Sequence, residues 1–337
     1  VSIENNASTG RTQRYRAAAI MPELSILACG VAAYFLFPKD LGFITQIFVN
    51  CVFVLSLALV LGQAGITSIG HATFFGAGAY AAGLFAIHIS SDPLLGLIAG
   101  AISGGFVAAI SGLVILRAYG TALVVLTAAL AQLVAEIANK ARAITGGADG
   151  LSGFHIAPIL GNFAFDVYGR VGFVYALCVL IPSYFIIRKI VASPFGLTSR
   201  AIRSEHRRMP LLGCNVYLHL LAVFTIGGIF AGIAGTLEAQ TTGIVGLSTL
   251  GFSLSAMAIV MLVLGGTRRL PGAILGTVVY LVVQRVASTV NPGYWLFVVG
   301  VLLILTLTFA PNGLMQIIDA IVETPWLRRA RRVAGMS

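Results

Sequence analysis

Long apolar stretches alternate with short polar or basic ones along nearly all of the 337-residue chain. A helix that crosses the hydrocarbon core of a bilayer needs about 20 mostly apolar residues. Stretches of that kind run approximately over 24–37, 43–61, 66–89, 94–116, 120–140, 170–188, 217–237, 249–266, 272–290 and 294–310. They predict about ten transmembrane helices, and so an all-α polytopic membrane protein. The first stretch is short and fits a tilted or interfacial helix as well as a full crossing. Composition agrees with this reading. Only 9% of residues are charged, 58% are hydrophobic, and mean hydropathy is +0.98. A water-soluble domain of this length needs far more polar surface to cover its core. The 39 glycines also fit membrane helices, where small residues let backbones approach closely.

The basic residues then orient the chain. The segment 188–215 carries Arg188, Lys189, Arg200, Arg203, Arg207 and Arg208 against Glu205. If it is cytoplasmic, alternation across the spans also places Arg117, Arg268 and Arg269 inside. The same holds for Arg11, Arg14 and Arg16 near the start and for Arg328, Arg329, Arg331 and Arg332 near the end. The loop at 141–169, with Lys140, Arg142 and Arg170 against Asp149 and Asp166, has little net charge and falls outside. Positive charge inside is the expected bias, so both termini are expected in the cytoplasm. The organisation that follows is a cytoplasmic tail over 1–22, a transmembrane unit over 23–318 with a cytoplasmic loop at about 189–216, and a basic tail over 319–337. No small-residue cleavage site follows the first apolar stretch, so a cleaved signal peptide is not expected. The sequon Asn6-Ala7-Ser8 is discounted because it lies on the cytoplasmic side in this reading. The net charge of +10 is explained by topology. Aromatic residues are not interleaved with the basic ones, so no nucleic-acid partner is expected, and membrane lipid is.

Chemistry-bearing patterns are sparse. GxxxxGK[ST], HExxH and GxSxG are absent, and the five histidines have no ligand spacing, so neither an enzyme, a metal site nor a cofactor is expected. Cys29, Cys51, Cys178 and Cys214 form no CxxC pair and read as buried free thiols. Ionisable residues inside spans are functional candidates by default. Here Glu136 and Glu238 sit near the outer ends of their spans, where interfacial placement is the plainer reading and solute contact the alternative. Arg285 near the outer part of the ninth span has the same two readings, a snorkelling side chain as the plainer one and solute contact as the alternative. No acidic residue lies deep in a span, which argues against a proton-coupled carrier.

Three stretches depart from plain apolar helix. GQAGITSIGHATFFGAGAYAAG, residues 62–83, holds Gly62, Gln63, Gly65, Ser68, His71, Phe75, Gly76 and Gly78. Its glycines serve either close helix packing or a broken helix whose amides face a cavity, with packing the plainer reading. GxxxG spacings at Gly100/Gly104, Gly228/Gly232 and Gly272/Gly276 support packing in general. TGGADGLSG, residues 145–153, holds Gly146, Gly147, Asp149 and Gly150 and reads as a turn-rich outer loop. Asp149 there caps the following turn or meets an incoming ligand. The third stretch is RAIRSEHRRMPLLGCN, residues 200–215. Helical spacing puts Arg200, Arg203 and Arg207 on one face and Ile202, His206 and Met209 on another. Pro210 is expected to end that helix, and Gly213 to cap the turn after it. A short amphipathic helix of this kind either lies along anionic headgroups or serves as a handle for a soluble partner.

Together these stretches resemble the permease subunits of branched-chain amino acid ABC importers, a family with relatives that serve urea, short amides and aromatic acids. The likeness rests on GQAGITSIGHATFFGAGAY at 62–80, TGGADGLSG at 145–153, SPFGLTSRAIRSEHRRMPLLGCNV at 193–216, LGGTRRLPGAILG at 264–276 and FAPNGL at 309–314. Their order and spacing match the longer of the family's two permeases. The resemblance implies that the central loop carries a coupling helix gripped by a cytoplasmic ATPase, through Arg200, Ala201, Ile202, Arg203, Glu205, Arg207, Leu212 and Gly213. It implies a second homologous permease, two cytoplasmic ATP-binding subunits and a periplasmic substrate-binding protein as partners, in a bacterial inner membrane. Relatives place acidic residues and alanines where this chain has Ser204, His206, Arg207, Arg208, Met209 and Pro210, which implies a partner with a more acidic groove. An ion-coupled carrier and a membrane scaffold are the rival classes.

Overall fold

The computed structural model describes residue 30 and residues 33–315, apart from 160, 162, 164–165, 167–168 and 311–312. Ten helices of more than one turn organise it: α1 (Leu41–Leu57), α2 (Ala72–His88), α3 (Pro93–Ile115), α4 (Thr121–Lys140) and α5 (Arg170–Ala192), then α6 (Pro194–Ser204), α7 (Val216–Thr242), α8 (Phe252–Gly265), α9 (Leu270–Val290) and α10 (Trp295–Phe309). Alpha-helical geometry loosens to a π-helix over Ala58–Gln63 at the end of α1. Among the described residues six helices are long and apolar enough to cross a membrane, namely Leu41–Gln63, α3, α4, α5, α7 and α9. α2, α8 and α10 are apolar but shorter, at 17, 14 and 15 residues. Most of the apolar stretch 24–37 lies outside the described residues, as do the tails at 1–22 and 319–337.

Two predicted spans are shorter than the sequence suggested, for local reasons. The stretch 66–89 is not one helix. Gly65 takes φ +74, the chain runs irregularly through Gly70, and α2 begins only at Ala72. The stretch 249–266 opens with a 3-10 turn over Leu247–Leu250 before α8 starts. Elsewhere helix ends follow ordinary capping. Asp92 accepts from the Leu94 amide at 2.9 Å with Pro93 in the first turn of α3, and Asn215 accepts from the Leu218 amide at 3.2 Å at the start of α7.

The centre of the bundle is α2, α3 and α7 in mutual contact. α3 shows why. Gly96, Gly100, Gly104, Ala108 and Gly112 recur every four residues and face inward, while Ile98, Ile102, Phe106 and Ile110 form an exposed stripe between them. Large apolar groups face lipid and small ones face protein, which inverts the soluble pattern. The GxxxG pairs of α3 and α7 meet each other. A Cβ on Gly104 would lie 2.5 Å from the Gly228 carbonyl oxygen, and one on Gly232 would lie 2.3 Å from that of Gly100. α2 joins at Gly78, where a Cβ would stand 2.2 Å from the Gly232 carbonyl oxygen. The third GxxxG pair, Gly272/Gly276, closes α9 onto α8 at Gly265. α1 lies buried against α5, α7 and α9.

Polar groups inside the bundle are mostly paired. Tyr175 donates to Gln240 Oε1 at 2.7 Å, and Gln240 Nε2 donates to the Pro93 carbonyl at 2.9 Å, tying α5, α7 and α3 together. Cys51 is buried, but Cys178 faces outward on α5, contrary to the expectation that it would be buried; an apolar helix in lipid exposes residues of this kind at no cost. Cys29 lies outside the described residues.

Substituting leucine at Gly78 is expected to abolish accumulation of folded protein in membranes, because the neighbouring atoms there are backbone and cannot rotate away. Gly300→Leu, on the outer face of α10 with open space around it, should leave abundance near wild type. Quantitative immunoblotting of detergent-extracted membranes, with size-exclusion profiles, measures both.

Candidate functional site

The predicted helix over 200–209 forms differently. α6 starts at Pro194, six residues before Arg200, and ends at Ser204. Ser193 and Pro194 nucleate it, while Glu205, at φ −142, turns the chain away. Arg207, His206 and Met209 therefore do not share a helix with Arg200 and Arg203. Pro210 does not end the helix but sits in the first turn of a 3-10 segment over Met209–Leu212. Gly213 caps that segment at φ +81, as its composition required. Arg208 and Glu205 form an exposed ion pair at 3.5 Å, and the His206 ring packs edge-on to Tyr119.

The structure joins two groups of residues that look unrelated in the sequence. Arg203 Nη1 donates to the Gly62 carbonyl at the π-helical end of α1. Arg200 Nη1 donates to Gln63 Oε1 at 3.3 Å and to the Val191 carbonyl at 3.1 Å. Gln63 Nε2 in turn donates to the Arg268 carbonyl at 3.4 Å in the turn between α8 and α9. Gly62 has no room for a side chain, since a Cβ would stand 2.4 Å from the Thr267 carbonyl oxygen. Gly65, at φ +74, lies beneath the Arg203 stem, with a notional Cβ only 2.8 Å from Arg203 Cγ. Burial in this nest, and then the nearby Arg268 charge, pull the Arg203 pKa below its ordinary value, although an arginine remains charged. α6 is thus bolted to α1 and to the α8–α9 turn. Ala201 is half-buried and Ile202 fully buried beside this contact; Arg207, Leu212 and Gly213 are exposed on the outer surface of the loop.

The irregular segment after Gly65 gives its free amides to protein hydroxyls rather than to a cavity. The Ile69 amide donates to Thr127 Oγ1 at 3.2 Å, and the Ala72 amide donates to Ser255 Oγ at 2.8 Å. His71 is buried, with Nε2 2.8 Å from Ser56 Oγ and the ring stacked on Phe53. The Ser56 hydroxyl already donates to the Phe53 carbonyl at 2.6 Å, so the network assigns the proton to Nε2 and leaves Nδ1 without a partner. Ser68 Oγ is likewise buried without a partner. Gly76 touches Leu250 and Gly78 touches Gly232, whereas Phe75 reaches an open cavity between α1, α7, α8 and α9.

The loop at 145–153 is fastened to the end of α7 remote from α6. Leu151 and Ser152 form strand β1, antiparallel to Ile244–Val245 (β2), with Leu151 opposite Val245. Gly146, Gly147 and Gly150 all have positive φ, and a Cβ on Gly150 would stand 2.3 Å from the Val245 carbonyl oxygen. Asp149 is exposed and does not cap this turn. Thr145 does so instead, accepting from the Gly147 amide at 3.3 Å and donating to the Ala141 carbonyl at 3.0 Å. Of the ionisable span residues, Glu136 is exposed and paired with Lys140 at 3.6 Å. Arg285 does not snorkel freely. It is 2.5 Å from Asp40 and lies over the Phe43 ring at 4.3 Å.

Residues 41–307 match the family described as the permease component of the branched-chain amino acid transport system. The chain belongs to that family. It is a multi-pass protein of the bacterial inner membrane. Among this permease's relatives is the high-affinity branched-chain amino acid transport system permease protein LivM of Salmonella typhimurium, 28% identical over 87% of this chain and 74% of its own length. The LivM protein of Escherichia coli is equally similar over the same spans. The corresponding LivH permease of Salmonella typhimurium is 32% identical, but over 36% of this chain and 40% of its own length. No solved structure matches significantly.

Gly65 and Gly243 both adopt positive φ, but only Gly65 lies against another side chain. Gly65→Ala and Gly243→Ala share the left-handed strain of about 1–2 kcal/mol. Thermal denaturation of the purified permease should show the larger fall for Gly65→Ala, the difference reporting displacement of Arg203.

Proposed function

We propose that this chain is the transmembrane permease subunit of an ATP-driven importer that moves branched-chain or closely related amino acids by alternating access. The observation that carries this is the direct seating of α6 on Gly62 and Gln63. A family permease has no ATP site of its own in this reading, so work must enter from a soluble motor through a segment rigidly tied to the bundle. α6 is such a segment. The segment that follows it combines Arg207 and Arg208 with Leu211 and Leu212, which are 86% and 78% exposed on a short, glycine-capped turn. Apolar anchors ringed by positive charge suit a protein groove of opposite sign.

In this reading the loop at about 189–216 and both tails are cytoplasmic, and the stretch 24–37 completes ten crossings over residues 23–318. The motor is a pair of cytoplasmic ATP-binding subunits, a second homologous permease completes the translocation path, and a periplasmic binding protein delivers solute to the end where β1 and β2 meet. The names of the LivM and LivH relatives support the amino acid class and the pairing of two permeases.

The geometry separates two arginines that sequence spacing placed together. Arg203→Glu removes a charge-assisted hydrogen bond to Gly62, an interaction of about 1.5–3 kcal/mol. It should lower leucine uptake by the reconstituted importer roughly tenfold or more while ATP hydrolysis continues. Arg207→Glu breaks no hydrogen bond or ion pair among the described residues and should instead weaken binding of the ATPase subunits, read by co-purification at increasing salt. Wild-type coupling in the Arg203 variant would reject the proposed transmission route.

A further inference from the structure

A cavity of about 540 Å³ opens among α1, α2, α7, α8 and α9, toward the end of the bundle remote from α6. That volume lies in the range of roughly 300–1,000 Å³ typical of small-molecule pockets. Phe75, Leu254, Met257 and Leu281 provide apolar wall, and two charged side chains on different helices, Glu238 of α7 and Arg285 of α9, also line it. Glu238 is only partly exposed, and its backbone carbonyl is taken by the hydroxyls of Thr241 and Thr242. Among the described residues no hydrogen bond or ion pair engages its carboxylate. Arg285 is held from one side by Asp40 and from one face by Phe43. That pair is nearly half exposed, so the attraction is weak and the guanidinium keeps further N–H donors for a second anion.

We propose that this cavity is a subsite for zwitterionic amino acids in transit, in which Glu238 accepts from the solute's ammonium, Arg285 donates to its carboxylate, and the Phe75–Met257 wall meets an aliphatic side chain. The inference rests on the importer reading above and adds the residues that hold the two charges of its solute. A uniformly neutral solute such as urea or a short amide would displace water from Glu238 without returning a charge, which is unfavourable. A free amino acid satisfies both ends at once. The ammonium and carboxylate of one α-carbon also let one solute bridge helices α7 and α9, so occupancy would be sensed by both.

The test is leucine uptake in proteoliposomes holding the complete importer. Glu238→Gln keeps size and hydrogen-bonding capacity but removes charge, and should lower uptake roughly tenfold or more, as expected when a charge-assisted contact is lost. Glu238→Asp keeps the charge and should retain more uptake than Glu238→Gln. Wild-type uptake in Glu238→Gln, or a Gln variant that outperforms the Asp variant, would overturn the subsite. If wild-type importer carries urea but no leucine, the amino acid reading itself falls, separately from the role of Glu238. A second measurement avoids variants of the charged pair. Ser253, exposed in the cavity wall, is replaced by Ser253→Cys on a background with Cys29, Cys178 and Cys214 changed to serine, and labelled with a water-soluble thiol reagent. Millimolar leucine should slow labelling at least twofold and urea should not; equal labelling rates in leucine, urea and buffer would reject the site.

Discussion

Backbone-to-backbone contact among α2, α3 and α7 is the constraint on which the remaining architecture hangs. Between helices in lipid there is little hydrophobic drive, since lipid tails satisfy leucine as well as protein does. Association then depends on how closely the main chains can approach. Gly78, Gly100, Gly104, Gly228 and Gly232 all lie at positions where even a methyl group would strike a neighbouring backbone or hydroxyl. Once these three helices are locked, α1 is caught between α7 and α5, and its two ends are placed relative to everything else.

That placement gives α1 a mechanical character. One end carries the Gly62 carbonyl that receives Arg203, where the helix has relaxed into π geometry. The other end contributes Phe43, Gln46 and Asn50 to the cavity, about 18–28 Å away by helical rise. A π segment shares its hydrogen bonds less ideally than an α-helix and so deforms more readily. A tilt of α6 would therefore be absorbed first at Ala58–Gln63 and then passed to the rigid α-helical length of α1. The α8–α9 turn is pulled by the same movement through Gln63 and the Arg268 carbonyl. Both walls of the cavity are thus attached to the segment proposed to take up motor movement.

Much of this was legible in the sequence, and the failures are physically informative. Among the described residues apolar length located nine helices, because burial in lipid demands nearly uninterrupted apolar residues and leaves a strong signal. The inward glycine stripe of α3 was visible as GxxxG spacing. The length of α6 was not, because its start depends on Ser193-Pro194 while attention falls on the arginines further on. Segment 66–71 passed for helix because Ile66, Ile69 and Ala72 keep it apolar, and only the tertiary hydroxyls of Thr127 and Ser255 make the break affordable. The joining of Arg203 to Gly62 spans 141 residues, and no local pattern encodes such a pairing.

The same limit explains why Glu238 and Arg285 looked unremarkable. Each sits near the end of an apolar helix, where interfacial water is the simplest account of a charge. Depth along one helix does not say which way a residue faces, and here the deciding fact is lateral. Both side chains turn toward a space bounded by other helices, whereas Glu136, at a comparable depth on α4, turns outward to Lys140. Three acidic or basic groups with the same sequence signature therefore have different surroundings. The glycine-driven packing of α7 beside α2 is what brings Glu238 to the Phe75 wall. Small residues that carry no chemistry themselves decide which charges can meet a solute, and residues conspicuous for their chemistry, such as His71, are enclosed by protein instead.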